Sequence, residues 1–146
     1  MKSNGPLRIR GATMQDAPAL AELAGELGYP SSTAEMQSRL KVLLSSAHHN
    51  VTVAEQNKVV GWAHTALIQS LESDLYAEMK GLVVTASLRG SGVGSRLVEN
   101  AERWARNQGC RKMRVRTNVV RRVAVDFYSG RGYALNKRQE ILDKTL

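Results

Sequence analysis

The stretch that decides the reading is Leu82-Val83-Val84-Thr85-Ala86-Ser87-Leu88-Arg89-Gly90-Ser91-Gly92-Val93-Gly94-Ser95. Its three aliphatic residues close a strand that opens at Glu78, and an unbroken apolar run fits a strand covered on both faces. Beyond the glycines an amphipathic helix extends to about Gln108. Val93, Leu97, Val98, Ala101, Trp104 and Ala105 share its inner face, and Gly109 stops it. Glycine lets the backbone approach a ligand closely. A helix start offers N–H groups without intrahelical partners, together with the positive end of the macrodipole. The turn therefore reads as a phosphate cradle, with Arg89 adding a charge and Ser91 and Ser95 adding hydroxyl donors. A Walker loop does not fit, because no lysine follows the glycines. A dinucleotide fingerprint fits poorly. Its third glycine would come one position early, and the next strand carries Arg114 and Arg116 where a ribose-binding acid belongs.

Upstream of this stretch, Leu7 to Arg10 alternates as a short strand, and Asp16 is placed to cap a helix with Ala17, Leu20, Leu23, Ala24 and Leu27 inward. Gly28-Tyr29-Pro30 ends that helix. Ser32 and Glu35 form a capping box for a second helix, with Met36, Leu40, Leu43 and Leu44 inward. Val51–Ala54 and Val59–Ile68 make a hairpin around Gln56-Asn57-Lys58, and a polar connection from Gln69 to Ala77 carries Glu72 and Asp74. Downstream, Lys112–Thr117 reads as a strand and Arg122–Tyr128 as a short helix carrying Val123, Ala124 and Phe127. The segment Tyr133–Lys144 can supply one or two more strands. The order βααβββαβαβ predicts an α/β fold, a mixed sheet with helices on its faces, as one domain over residues 1–146.

The composition, 42% hydrophobic and 23% charged, is that of an ordinary globular chain. No apolar run approaches the ~20 residues that span a bilayer, and no apolar stretch follows Lys2 as a signal peptide requires. A cytoplasmic protein without a membrane partner is expected. The single cysteine, Cys110, excludes an internal disulfide and a cysteine metal cluster. His48, His49 and His64 lack metal-ligand spacing, so no metal site is expected. The net charge of +8 is uneven: residues 1–79 sum to −2 and residues 80–146 to +10. The basic half calls for a polyanionic partner, either nucleic acid or a phosphate-bearing cofactor. The chain has only seven aromatic residues, and none forms a stacking motif with Arg111, Lys112, Arg114, Arg116, Arg121 and Arg122. That weakens the nucleic-acid reading.

Arg89-Gly90-Ser91-Gly92-Val93-Gly94 resembles the R/Q-x-x-G-x-G/A signature of the GNAT acetyltransferases. Ala124-Val125-Asp126-Phe127-Tyr128-Ser129-Gly130-Arg131-Gly132-Tyr133 is similar to the family's A-x-x-F-Y-x-x-x-G-F/Y segment. The resemblance implies a mostly antiparallel sheet splayed at an acetyl-CoA site. It also implies direct transfer of acetyl to a primary amine of a small molecule, with a peptide or protein amine as the alternative. A non-catalytic acyl-CoA sensor on the same fold stays open. Residues implied at coenzyme A are Leu82, Val83, Val84, Arg89, Gly90, Ser91, Gly92, Val93, Gly94, Ser95, Asn118, Arg121, Ala124 and Phe127. Tyr128 is implied as the general acid, since a phenol of pKa ~10 is protonated at neutral pH. Glu78 is the candidate base, expected to share a strand face with Lys80, Leu82 and Val84. A backbone N–H of Val83 or Val84 is the candidate oxyanion donor. Within the family, the Thr117–Tyr128 run looks most like aminoalkylphosphonate N-acetyltransferases, with Val125 where those carry His. Relatives of this kind are often dimeric, which leaves a homodimer open.

Overall fold

A computed structural model describes residues 5–117 and 122–146. They fall into two compact units, one up to Val115 and one from Arg116 onward.

The first unit contains β1 (Arg8–Gly11), α1 (Ala17–Glu26), α2 (Thr33–Leu44), β2 (His49–Gln56), β3 (Lys58–Ile68), β4 (Tyr76–Val84), α3 (Val93–Asn107) and β5 (Met113–Val115). The strands form one sheet in the order β1-β2-β3-β4-β5. Its first three pairings are antiparallel, and β4–β5 is parallel. The helices α1 and α2 cover one face, where Ala17, Leu20 and Leu40 pack with Val51 and Val53. The helix α3 covers the other, where Ala105 packs with Ala77 and Cys110.

Most local signals act as expected. Ser32 Oγ accepts from the Glu35 N–H, and Glu35 Oε1 accepts from the Ser32 N–H, both at 3.0 Å. Asn57 turns the hairpin at φ +68°. Asp16 is different: it precedes α1 but makes no cap hydrogen bond to it. Its carboxylate accepts two 2.9 Å bonds from Arg10 and a 2.8 Å bond from the Thr13 N–H. A full charge on β1 outcompetes the helix amides for it. Leu44, in the last turn of α2, is 41% exposed instead of buried. The strand β4 begins at Tyr76, inside the stretch expected as loop.

The second unit holds α4 (Arg122–Ser129). Val123 is 85% exposed, and Tyr128 is the buried residue of the helix. No strand forms from Tyr133 onward. Asn136-Lys137-Arg138-Gln139-Glu140 breaks the alternation that a half-buried strand requires, and Leu135, Ile141 and Leu142 lie exposed.

Candidate active site

The β4–β5 pairing covers only Ala77, Glu78 and Met79. Among the described residues, Lys80 to Val84 runs on with β3 alone, which opens the sheet where a splay is expected. The Thr85 N–H donates to the Val60 carbonyl at 2.8 Å, toward β3. Backbone groups alternate sides along a strand, so Val83 also faces β3, while Leu82 and Val84 face the open edge. There the Val84 carbonyl accepts from Arg89 Nε at 3.2 Å. Of the two N–H groups weighed as oxyanion donors, that of Val84 therefore points to the open side.

The cradle follows at once. A turn of 3-10 helix over Ala86–Leu88 leads into Arg89. Gly90 and Gly92 adopt φ +83° and +97°, a region that L side chains rarely enter, and a Cβ on either would meet nothing within 4 Å. The first backbone bond of α3 runs from the Arg96 N–H to the Gly92 carbonyl. Val93, Gly94 and Ser95 thus present N–H groups with no acceptor among the described residues, and no side chain caps the helix. These orphan donors at a helix start suit a pyrophosphate, so the residues present fit coenzyme A. The Ser91 hydroxyl is an exception to the expected donor set, because it donates to the Leu88 carbonyl within the loop. Among the described residues the terminal nitrogens of Arg89 have no partner, while Nε pins it to the end of β4.

Glu78 departs from its expected surroundings. It is 4% exposed, and its Oε2 accepts from Lys80 Nζ at 2.7 Å. The pairings Thr65↔Met79 and His64↔Gly81 leave Lys80 as an extra residue, a β-bulge. The bulge reverses the alternation, so Glu78 shares its face with Gly81 and Val83, and Leu82 and Val84 point to the opposite face. That shared face, on the α1–α2 side, also carries Trp62 and His64. His64 Nε2 lies 2.9 Å from His49 Nδ1. Burial, with His49 and Lys80 adding to it, pushes the His64 pKa down to about 4.

Tyr128 packs edge-on against Phe127 and Tyr133, with ring centroids 5.1 and 5.4 Å away. Burial raises its phenol pKa to about 12. The Arg131 guanidinium lies 4.1 Å from the Phe127 ring centroid. Ala124 lies one turn before Tyr128 on α4. Asn118 and Arg121 lie outside the described residues.

One contact escaped the sequence reading. Glu26, at the end of α1, accepts from the Thr85 hydroxyl and from the Ala86 N–H at 3.0 Å. It ties the first helix to the loop that leads into the cradle. No local pattern announces a partner 60 positions away.

Among the described residues no three metal-ligating side chains gather, and no helix is long and apolar enough to cross a membrane. The acetyltransferase (GNAT) family model matches residues 17–133. Aminoglycoside N(6')-acetyltransferase type 1 of Serratia marcescens is 26% identical over 125 residues, covering 81% of this chain and 86% of the relative. The protein of that name from Stenotrophomonas maltophilia is 32% identical over 111 residues, covering 72% and 71%. The solved structure of an aminoglycoside N-acetyltransferase in complex with CoA matches with a TM-score of 0.87 at 19% identity, over 99% of this chain and 98% of that one. At that identity the likeness shows a shared fold. These relatives are named for aminoglycosides and not for aminoalkylphosphonates, so the subgroup suggested by the Thr117–Tyr128 run gives way. With the cradle at α3, the opened β4 and a family match over most of the chain, this protein belongs to the acetyltransferase (GNAT) family, as an N-acetyltransferase that uses acetyl-CoA.

Proposed function

We propose that this chain acetylates a primary amine of a polyamino sugar of the aminoglycoside class, with its two units acting together as one catalytic domain. The observation that carries the substrate class is the likeness to two aminoglycoside N(6')-acetyltransferases, at 26% and 32% identity. Acetyl-CoA supplies the activated acyl group. Its phosphates would rest on the N–H groups of Val93, Gly94 and Ser95 and on Arg89, with Gly90 and Gly92 keeping the approach clear. Its pantetheine arm would lie along Leu82, Val83 and Val84. Ala124 and Phe127, with Asn118 and Arg121, complete the proposed coenzyme contacts.

Glu78 has the character that the acceptor side needs. Its buried carboxylate already holds one primary ammonium, that of Lys80, at 2.7 Å. A substrate ammonium can replace Lys80 there and give up its proton to Glu78, directly or through water. Glu72 and Asp74, in the loop before β4, add negative charge on the way in. Tyr128 holds the proton that the departing sulfur requires. Its raised pKa keeps the phenol protonated throughout the physiological range.

Thiol release is the test, measured with acetyl-CoA and a panel of aminoglycosides with and without a free 6'-amine, aminoalkylphosphonates, polyamines and basic peptides. Release confined to aminoglycosides that bear the 6'-amine is the expected result. Release with peptides alone would move the activity to a protein substrate. Cofactor binding without release from any amine would indicate a sensor. Tyr128→Phe is expected to lower turnover by about 10²-fold or more while leaving acetyl-CoA affinity nearly unchanged. Unaltered turnover would remove Tyr128 from the acid role.

A further inference from the structure

On the α3-covered face, away from the cradle, the C-terminal half of α3 and the strands β1 and β2 enclose an open groove of about 300 Å³. The proposed acetyl transfer uses none of its lining. The pairing Gly11↔Thr52 sets both residues on this face, with Asn50 two positions before Thr52. From α3 come Asn100, Arg103 and Asn107, spaced so that they share one stripe of the helix, with the Trp104 indole beside them. Asn100 and Asn107 lie roughly 10 and 20 Å along the helix from Val93.

The polar groups of this groove are unspent. Thr52 is 5% exposed, and its Oγ1 is buried without a hydrogen-bond partner among the described residues. A buried hydroxyl left unpaired is costly, so one that persists next to a groove calls for an external partner. Asn50, Asn100, Asn107 and Arg103 also make no side-chain hydrogen bond among the described residues. No carboxylate lines the groove. Arg10, at its edge, is already neutralised by Asp16 and Glu55, which leaves Arg103 as the charge that a ligand meets. Carboxamides donate and accept at once, as sugar hydroxyls require. A guanidinium selects a carboxylate or phosphate, and an indole offers an apolar platform for a sugar ring. The volume suits one monosaccharide. We infer that this groove binds an anionic monosaccharide, one sugar ring bearing a carboxylate or a phosphate, at a second site separate from the acetyl-transfer site. Arg103 disfavours polycationic amines there.

The test is a thermal-shift titration of the full chain with D-glucuronate, D-glucose 6-phosphate, D-glucose and inorganic phosphate, with and without saturating acetyl-CoA. At saturation, glucuronate or glucose 6-phosphate is expected to raise the melting temperature by about 3 °C or more, with acetyl-CoA present or absent. Which of the two does so identifies the anion. Three results would overturn the inference: no shift with either anionic sugar, an equal shift with inorganic phosphate, or a shift that acetyl-CoA abolishes and that therefore belongs to the cradle. Thr52→Val supplies a readout that a merely structural threonine would not give. The unliganded variant should melt at or above the wild-type temperature, since an orphan hydroxyl is gone, yet bind the sugar about tenfold more weakly. A lower melting temperature, or unchanged sugar affinity, counts against the proposal. Arg103→Gln should bring the anionic sugars down to the response of glucose. Gly11→Val should block the groove without unfolding the chain, since a Cβ at Gly11 meets nothing within 4 Å. Wild-type sugar binding by both of these variants would also refute the assignment.

Discussion

Gly61 offers the sharpest test of how the cofactor strand is held. It pairs with Val84 across β3–β4. A Cβ added there would lie 2.8 Å from the Val83 carbonyl oxygen, 3.2 Å from Leu97 Cδ1 and 3.5 Å from Val93 Cγ1. Carbon–oxygen contacts between strands settle near 3.3–3.6 Å, so about 0.5 Å must be recovered. None of the three neighbours yields easily. The oxygen is backbone in a paired strand, and Leu97 and Val93 are buried at 0% and 3% exposure. Overpacking of this kind costs about 1–3 kcal/mol. The entropy removed from the unfolded chain returns only about 0.4–1 kcal/mol. Gly61→Ala is therefore expected to lose about 1–2 kcal/mol net, read as a lower urea midpoint at constant slope. The strain acts on Val83, next to Val84, and on Val93, the first residue of α3, so acetyl-CoA affinity should fall with stability. Gly25→Ala is the control. Nothing lies within 4 Å of its added Cβ, and inside α1 it should stabilise by up to about 1 kcal/mol. A Gly61→Ala protein as stable as the wild type, with intact acetyl-CoA binding, would refute the claim that this close approach fixes the cradle.

Other outcomes follow from the same contacts. Asp16→Asn should cost about 2 kcal/mol in urea unfolding, because it removes the buried charge that faces Arg10; the remaining Glu55 partner and partial solvation of the guanidinium limit the loss. Arg10 also holds the Asp16 carboxyl below its ordinary range. His64 has a folded pKa of about 4 against about 6.5 when unfolded. Its contribution is therefore complete above pH 6.5 and is lost as pH falls toward 4, since the unfolded chain binds the extra proton there. The unfolding free energy from urea melts should drop across that window by an amount on the order of 1–2 kcal/mol, allowing for solvent at the ring, and His64→Gln should flatten the drop. Cys110 is buried and its thiol pKa is raised by that burial, so a thiol reagent should label it in urea and spare it in the native protein. Rapid native labelling would contradict the packing around Ala77 and Ala105.

The cradle was legible because everything it needs is contiguous. The aliphatic end of β4, the glycines with open space around them and the first turn of α3 lie within fourteen residues, and each obeys a local rule. The capping box at Ser32 and the Asn57 turn are local in the same way. Asp16 escapes the local rule: the rule offers it a helix cap, while the residue that claims it, Arg10, sits on a strand and delivers a full charge. The expected C-terminal strands failed for lack of an alternating face. The five polar residues from Asn136 to Glu140 outweigh Leu135, Ile141 and Leu142 on either side.

The Lys80 bulge shows a different limit. Counting by twos from Glu78 set its carboxylate with Leu82 and Val84. One unpaired residue inserts between them and sends Glu78 to the α1–α2 face. In Glu78-Met79-Lys80-Gly81 the glycine is the one local hint of an irregularity, and it does not place the extra residue, because a bulge is a property of the pairing with β3 and not of β4 alone. Its consequence is functional. In the proposed reaction the base and the coenzyme arm must approach the acetyl carbon from different directions, and a regular strand would give both the same face. The bulge lets one strand turn Glu78 toward the amine side while the N–H of Val84 stays on the open edge, beside the cradle. Gly81 then has a reason to be glycine. A Cβ there would come within 2.7 Å of the Trp62 ring, which occupies the very face that the bulge has given to Glu78.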